Sequence, residues 1–283
     1  MAIKAEYYKS MEGGVQCLLC PHRCRLKSGQ LGICKARICR GVDLYSLSDG
    51  VITSMGYDPL EKKPLTHFMK GSIFSIGSFG CNFHCDFCQN YRLLDPQAPQ
   101  IKVQDRDLLE AAAAQGSLGI AYTYNEPTVN FEMVKRLSKK IHGQNQVNVM
   151  ITNGYIERDP RRELLGLIDA WNIDYKMPRE LYPGICGGKE EVVLETIKEA
   201  SLHSHVEVST LLIPGRNTGE DVFRGMMKKL SEINDEIPLH LSRYFPCYKC
   251  SIPETSLETM LLCEKIAKEY MKTVELGNMP LYY

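Results

Sequence analysis

From residue 72 onward the chain alternates short apolar runs with helical stretches, and no other feature restricts its fold as strongly. Strands are expected at 72–77, 118–123, 147–151, 170–175, 205–212, 238–241 and 273–276. Helices are expected near 105–115, 128–142, 160–168, 188–203, 218–232 and 255–271. The run Asp107-Leu108-Leu109-Glu110-Ala111-Ala112-Ala113-Ala114, for instance, is rich in strong helix formers. Strands separated by helices pair in parallel through right-handed crossovers. Six such units predict an α/β fold, a partial (β/α)6 TIM-like barrel over residues 71–283, with chemistry gathered at the C-terminal ends of the strands.

The loop after the first strand holds Cys81-Asn82-Phe83-His84-Cys85-Asp86-Phe87-Cys88, three cysteines at C-x3-C-x2-C. Three thiolates on one loop can grip three corners of an iron–sulfur cubane, which usually takes four cysteines, and leave one iron open. An open metal position marks catalytic rather than structural sites. The alternative is three buried thiols on one helix face, but Gly80 and Asn82 make a poor helix start. The later strand ends carry Tyr124-Asn125-Glu126-Pro127, Ile151-Thr152-Asn153-Gly154, Asp174-Tyr175-Lys176, Ser209–Gly215 and His240–Pro246. Each group has a purely structural reading. Asn125 suits a helix cap before Pro127, Asn153-Gly154 a turn, Asp174 and Lys176 an ion pair, and Ile213 the core.

Cys81, Cys85 and Cys88, with Phe87 before the last, resemble the signature of radical S-adenosylmethionine (SAM) enzymes. The resemblance implies a [4Fe–4S] cluster on those cysteines, SAM on the open iron, and reductive cleavage of SAM to a 5′-deoxyadenosyl radical. It places the Phe87 backbone near the adenine. Relatives of the pyruvate formate-lyase activating type carry Gly-Gly-Glu-Pro where this chain has Tyr124-Asn125-Glu126-Pro127, and often Asp-Thr-Asn-Gly where it has Ile151-Thr152-Asn153-Gly154. By the resemblance Asn125, Glu126, Thr152, Asn153, Asp174 and Lys176 position SAM, and Ile213 offers an apolar face to adenine. Ile151 cannot ligate anything. His240 and Arg243 are further candidates at the barrel mouth, Arg243 for an anionic substrate or the SAM carboxylate. The Cys247/Cys250 pair is first read as incidental.

Residues 1–70 read as a small, irregular Cys-rich module plus a connector. Cys17, Cys20, Cys24 and Cys34, at C-x2-C-x3-C-x9-C, can complete a tetrahedral site, with His22 and Cys39 as substitutes. Zinc and a second iron–sulfur cluster share these ligand types, and a structural zinc is slightly favoured. The segment Gly56–Leu65, with Pro59 and Pro64, reads as an extended connector whose Lys62 and Lys63 are solvated. Both the module and the Asp58–Pro64 wording resemble the radical SAM member of the AmmeMemoRadiSam group, which implies AMMECR- and Memo-type partner proteins.

Net charge is zero, which leaves a nucleic-acid partner without an electrostatic footprint. No apolar run approaches the ~20 residues of a membrane span, and the N-terminus lacks a signal h-region, so a cytoplasmic protein is expected. Twelve cysteines in such a compartment point to metal or catalysis. The function these readings favour is reductive SAM cleavage followed by hydrogen abstraction from a substrate, a protein glycine being the one the resemblance suggests. Such an enzyme needs a reductant such as flavodoxin or ferredoxin. The alternative is an iron–sulfur or zinc protein that transfers electrons or scaffolds partners without cleaving SAM.

Overall fold

The computed structural model describes residues 2–280. Residues 3–46 form two small antiparallel sheets of three strands each. The strands are β1 (Ile3–Lys4), β2 (Tyr8–Met11), β3 (Gly14–Cys17), β4 (Arg25–Lys27), β5 (Arg37–Arg40) and β6 (Asp43–Ser46). The sheet orders are β1–β6–β5 and β2–β3–β4. The module is therefore more regular than its sequence suggests. Its strands are too short to show a period of two, and only the tight pairing of neighbours reveals them.

Next come β7 (Val51–Ile52), β8 (Ser54–Pro59) and β9 (Ser72–Gly77). The short β10 (Ile101–Lys102) turns back onto β7. From β9 the chain alternates as expected. It runs through α1 (Asp105–Ala113), β11 (Gly119–Tyr122), α2 (Phe131–His142), β12 (Val147–Thr152), α3 (Arg158–Leu165), β13 (Ala170–Asp174) and α4 (Glu190–Ser201). It continues through β14 (His205–Leu212), α5 (Glu220–Ser231), β15 (Leu239–Arg243), α6 (Leu257–Ala267) and β16 (Val274–Gly277). The central sheet has eight strands in the order β16–β15–β14–β13–β12–β11–β9–β8. Every neighbouring pair from β9 to β16 is parallel. Strands such as β9, β11 and β13 are buried along nearly their whole length, as expected where both faces are covered. The six β/α units and the open, mostly parallel sheet agree with the expected fold class.

The connector is where expectation and structure part. Ser54–Pro59 is no linker: it is the antiparallel edge strand of the main sheet, in register with β9 from Ser54↔Gly77 to Pro59↔Ser72. Pro59 sits at the strand's end, where a missing N–H does no harm. The following residues fold under the sheet. Leu60 and Leu65 are fully buried in a cluster with Ile73, Ala121, Val149 and Ala170, which the pairing register places on one face of β9, β11, β12 and β13. Lys63 is only 6% exposed, and its ammonium donates to Asp58 Oδ2 at 2.8 Å. The solvated reading holds for Lys62 alone. Proline spacing shows where a helix cannot form, but not that the segment floors a barrel. Among the described residues, no helix is long and apolar enough to cross a membrane.

Candidate radical cluster and cofactor site

The inner face of the sheet changes character along its width. On β9 to β12 it is mostly apolar; on β13 to β16 it carries Asn172, Asp174, Glu207, Ser209, His240, Ser242 and Glu275, brought to one face by the parallel registers. Above the floor lies a cavity of about 280 Å³. Cys81, Cys85, Cys88, Phe87, Asn125, Glu126, Thr152, Asn153, Asp174 and Lys176 all line it. These come from the loop after β9 and from the ends of β11, β12 and β13, so the residues expected at the strand ends do converge.

Ile213 does not converge with them. It is fully buried in the main hydrophobic cluster and does not line the cavity, so its core reading is the one the structure shows. His240 lies at the opposite end of its strand from the cavity mouth and donates to Glu207 Oε2, 2.6 Å away. Arg243 turns outward to the Thr255 carbonyl at 2.7 Å and Glu254 at 2.8 Å. On β15 it is Ser242 that lines the cavity.

The cysteine loop is held by polar contacts that no spacing rule reveals. Asp86 makes a two-pronged ion pair with Arg216, both contacts 2.6 Å, tying the loop to the one that follows β14. The guanidinium holds the Asp86 carboxyl below its usual range. Two donors face Cys81 Sγ: the Phe83 amide at 3.3 Å and Asn153 Nδ2 at 3.7 Å. Burial pushes the Cys81 and Cys88 thiols up, with the Glu126 carboxylate adding to the effect at Cys81. Cys85 goes the other way: the Cys186 thiol beside it, and then the Lys176 ammonium, favour its thiolate.

Glu126 plays a different part from the one its motif suggests. It is 2% exposed. One oxygen accepts from the Thr128 amide (3.0 Å), the Thr128 hydroxyl (2.8 Å) and the Thr152 hydroxyl (2.6 Å); the other accepts from the Asn153 amide at 2.8 Å. Glu126, not Asn125, therefore caps the turn that opens at Pro127. Asn125 instead bridges the Ser78 amide and the Phe79 and Gly80 carbonyls. Asn153 passes the network on to the Asn82 side chain at 2.8 Å. Asp174 and Lys176 make a 2.6 Å ion pair that still faces the cavity. Burial works against the Lys176 charge, but Asp174 and Cys85 outweigh it and raise its pKa. The sequence reading missed Tyr124. Its backbone is left-handed at φ 68°, it lines the cavity, and its hydroxyl donates to Asp58 at 2.8 Å.

Among the described residues, no three His, Cys, Asp or Glu side chains are arranged to hold a single metal ion. A cubane is bound differently, with each sulfur on its own iron. Three thiols facing one cavity, two N–H donors on one sulfur and a cationic lysine opposite fit such a group.

The fold and this site define an α/β enzyme core that presents three cysteines at the mouth of a partial barrel. The Radical SAM superfamily profile matches residues 75–228, and the chain belongs to that superfamily. Membership implies a [4Fe–4S] cluster and SAM. The uncharacterized protein MJ0808 of Methanocaldococcus jannaschii is 36% identical over 286 residues, which cover 98% of this chain and 85% of that protein. A domain of pyruvate-formate lyase-activating enzyme from Bacteroides vulgatus superposes with a TM-score of 0.51 at 18% identity, covering 56% of this chain and 99% of the other. Streptococcus suis SuiB bound to S-adenosylmethionine gives 0.55 at 13% identity; the match covers 71% of this chain and 48% of SuiB. At these identities the two structures speak for the fold alone.

Proposed function

We propose that the chain is an activating-type radical SAM enzyme of the AmmeMemoRadiSam kind, which cleaves SAM reductively and abstracts a hydrogen atom from a polypeptide, a glycine being the favoured target. The observation that carries this reading is the meeting of Cys81, Cys85 and Cys88 with Asp174 and Lys176 around one cavity. The bound cluster and SAM supply the electron and the 5′-deoxyadenosyl radical; the protein supplies placement and exclusion of water. Cys81, Cys85 and Cys88 hold the cluster. Lys176 stands ready for a carboxylate, and Asp174 orients the ammonium toward the cavity. Phe87 walls the cavity beside the cysteines. Glu126, Thr152 and Asn153 act one step back by fixing the two strand ends and the sulfur of Cys81.

Support for the activating type comes from the motif resemblance at Glu126-Pro127 and Thr152-Asn153-Gly154 and from the shared fold. An exposed barrel mouth suits a segment of a partner protein, and AMMECR- and Memo-type proteins are the partners we would try first. The reductant in the cytoplasm would be a flavodoxin or ferredoxin.

The test is anaerobic reconstitution, reduction with dithionite in the presence of SAM, and chromatography for 5′-deoxyadenosine. We expect product from the wild type and none from Cys85→Ala. An intact, reducible cluster that leaves SAM whole would favour an electron-transfer or scaffolding protein instead.

A further inference from the structure

Of the thiols outside the site described so far, four share a cavity of their own. Cys17, Cys20, Cys24 and Cys34 line a small pocket in the N-terminal module, closed by apolar side chains and by His22 and Arg37. Gly32 also lines it, and a Cβ there would stand in ordinary contact with Cys34 Sγ at 3.7 Å and Cys24 Sγ at 3.9 Å. Cys39 is excluded from the set: it does not line the pocket, and its thiol faces the Gly41 carbonyl.

The spacing of these thiols discriminates between metals. Four thiolates on a tetrahedral zinc, each about 2.3 Å from the ion, stand about 3.8 Å apart. No three of these cysteines are arranged to hold a single ion. The same is true of Cys81, Cys85 and Cys88, the trio whose superfamily implies a cubane. Four thiols that line one pocket without grouping around a single ion suit a cofactor whose sulfurs sit on separate irons.

The pocket also shares a wall with the radical-cluster loop. Gly80, immediately before Cys81, has φ 92°, and a Cβ on it would come within 2.7 Å of the Cys34 carbonyl oxygen. His22, from the pocket wall, hydrogen-bonds the carbonyl oxygen of Asn82, the residue after Cys81, at 2.7 Å. The buried Arg37 donates to Glu132 on α2 at 2.6 Å and to the Val129 carbonyl, and so clamps the module against the barrel.

We propose that Cys17, Cys20, Cys24 and Cys34 hold a second [4Fe–4S] cluster, placed to exchange electrons with the one at Cys81, Cys85 and Cys88 across the Cys34–Gly80 and His22–Asn82 contacts. It accepts one electron from an external low-potential one-electron carrier protein and hands that electron to the radical cluster, returning to its oxidised state. No bond is made or broken. The destination of the electron rests on the radical SAM reading; the second site does not.

The experiment uses the full chain, reconstituted anaerobically with iron and sulfide in the presence of zinc. Metal per chain and the electron paramagnetic resonance spectrum of the dithionite-reduced protein are recorded. Three proteins are compared: wild type, the triple variant Cys81→Ala/Cys85→Ala/Cys88→Ala, and the double variant Cys20→Ala/Cys24→Ala. We expect about eight irons in the wild type and about four in each variant, one cubane being lost each time. We also expect the wild-type spectrum to be broadened by coupling between two nearby paramagnets and to collapse to an isolated signal in either variant. About four irons with one zinc in the wild type would overturn the proposal, as would two signals that do not broaden each other. Should the double variant fail to fold, the triple variant decides: about four retained irons support the second site, and none refute it. If SAM is never cleaved while eight irons and the coupling persist, the proposed function fails and the second site stands.

Discussion

Asn153 shows how one side chain can serve a turn and a cofactor site together. Its Oδ1 accepts from the Tyr155 amide at 2.9 Å, an Asx turn that the Asn-Gly pair announces. Its Nδ2 reaches Asn82 and Cys81. Hydrogen bonds to cluster sulfurs are among the factors that set the potential. Asn153→Ala removes one of the two donors facing Cys81. We expect a reduction potential shifted to more negative values, measured by a redox titration followed by electron paramagnetic resonance. We also expect a drop in 5′-deoxyadenosine formation of about tenfold, the low end for loss of a partner behind a metal ligand. A merely structural Asn153 would leave the potential where it is.

At the scale of elements, the contact between the Cys34 segment and the β9 loop joins the two cysteine-rich regions, and Gly80 is what lets them touch. A Cβ there meets backbone at 2.7 Å and the Ala36 methyl at 2.8 Å, on a φ of 92°. Gly80→Ala therefore carries two costs: about 1–2 kcal/mol for the left-handed backbone and about 1–3 kcal/mol for overpacking. Chemical denaturation should show a loss of that summed order, with iron binding reduced. Gly225→Ala is the control. A Cβ at Gly225, inside α5, meets nothing within 4 Å, so the replacement should raise stability by about 0.5–1 kcal/mol. The edge strand β8 and the floor behind it teach a related lesson. A run punctuated by Pro59 and Pro64 rules out a helix but leaves open what the segment packs on. Lys63 looked solvated because no local signal shows that Asp58 and Tyr124 will enclose it.

The molecule as a whole is closed at the end opposite the cavity by a carboxylate–histidine cluster drawn from four separate segments. Glu207 is fully buried on the inner face. It meets His205 at 2.8 Å, His240 at 2.6 Å and the amides of Thr66 and His67 at 3.2 and 2.9 Å. Glu275 closes the ring against His67 and Thr66. Burial alone would raise the Glu207 pKa. The hydrogen bonds from His205, His240 and the His67 amide overturn this and bring it down to about 2. A carboxylate depressed in the folded state contributes stability that is present in full above the ordinary glutamate range and lost as the pH falls through its folded value. Unfolding free energy should therefore decline from just above pH 4.5 toward pH 2, the ordinary glutamate value and the lowered one bracketing the window. In Glu207→Gln this part of the slope should vanish. An acid slope identical in the variant would show that the charge of Glu207 does not hold the barrel floor.

Sequence alone was enough for whatever depends on neighbours in the chain. The alternation from β9 to β16, the three-cysteine loop and the four-cysteine spacing are local patterns, and each reports its own short stretch. Convergence is not local. Which strand ends share a cavity, that Glu126 spends both oxygens on Thr128, Thr152 and Asn153, that Ile213 faces the core, and that His22 reaches Asn82 all depend on register and twist. A one-residue slip in a strand turns every side chain to the other face, and only the packed sheet settles that choice.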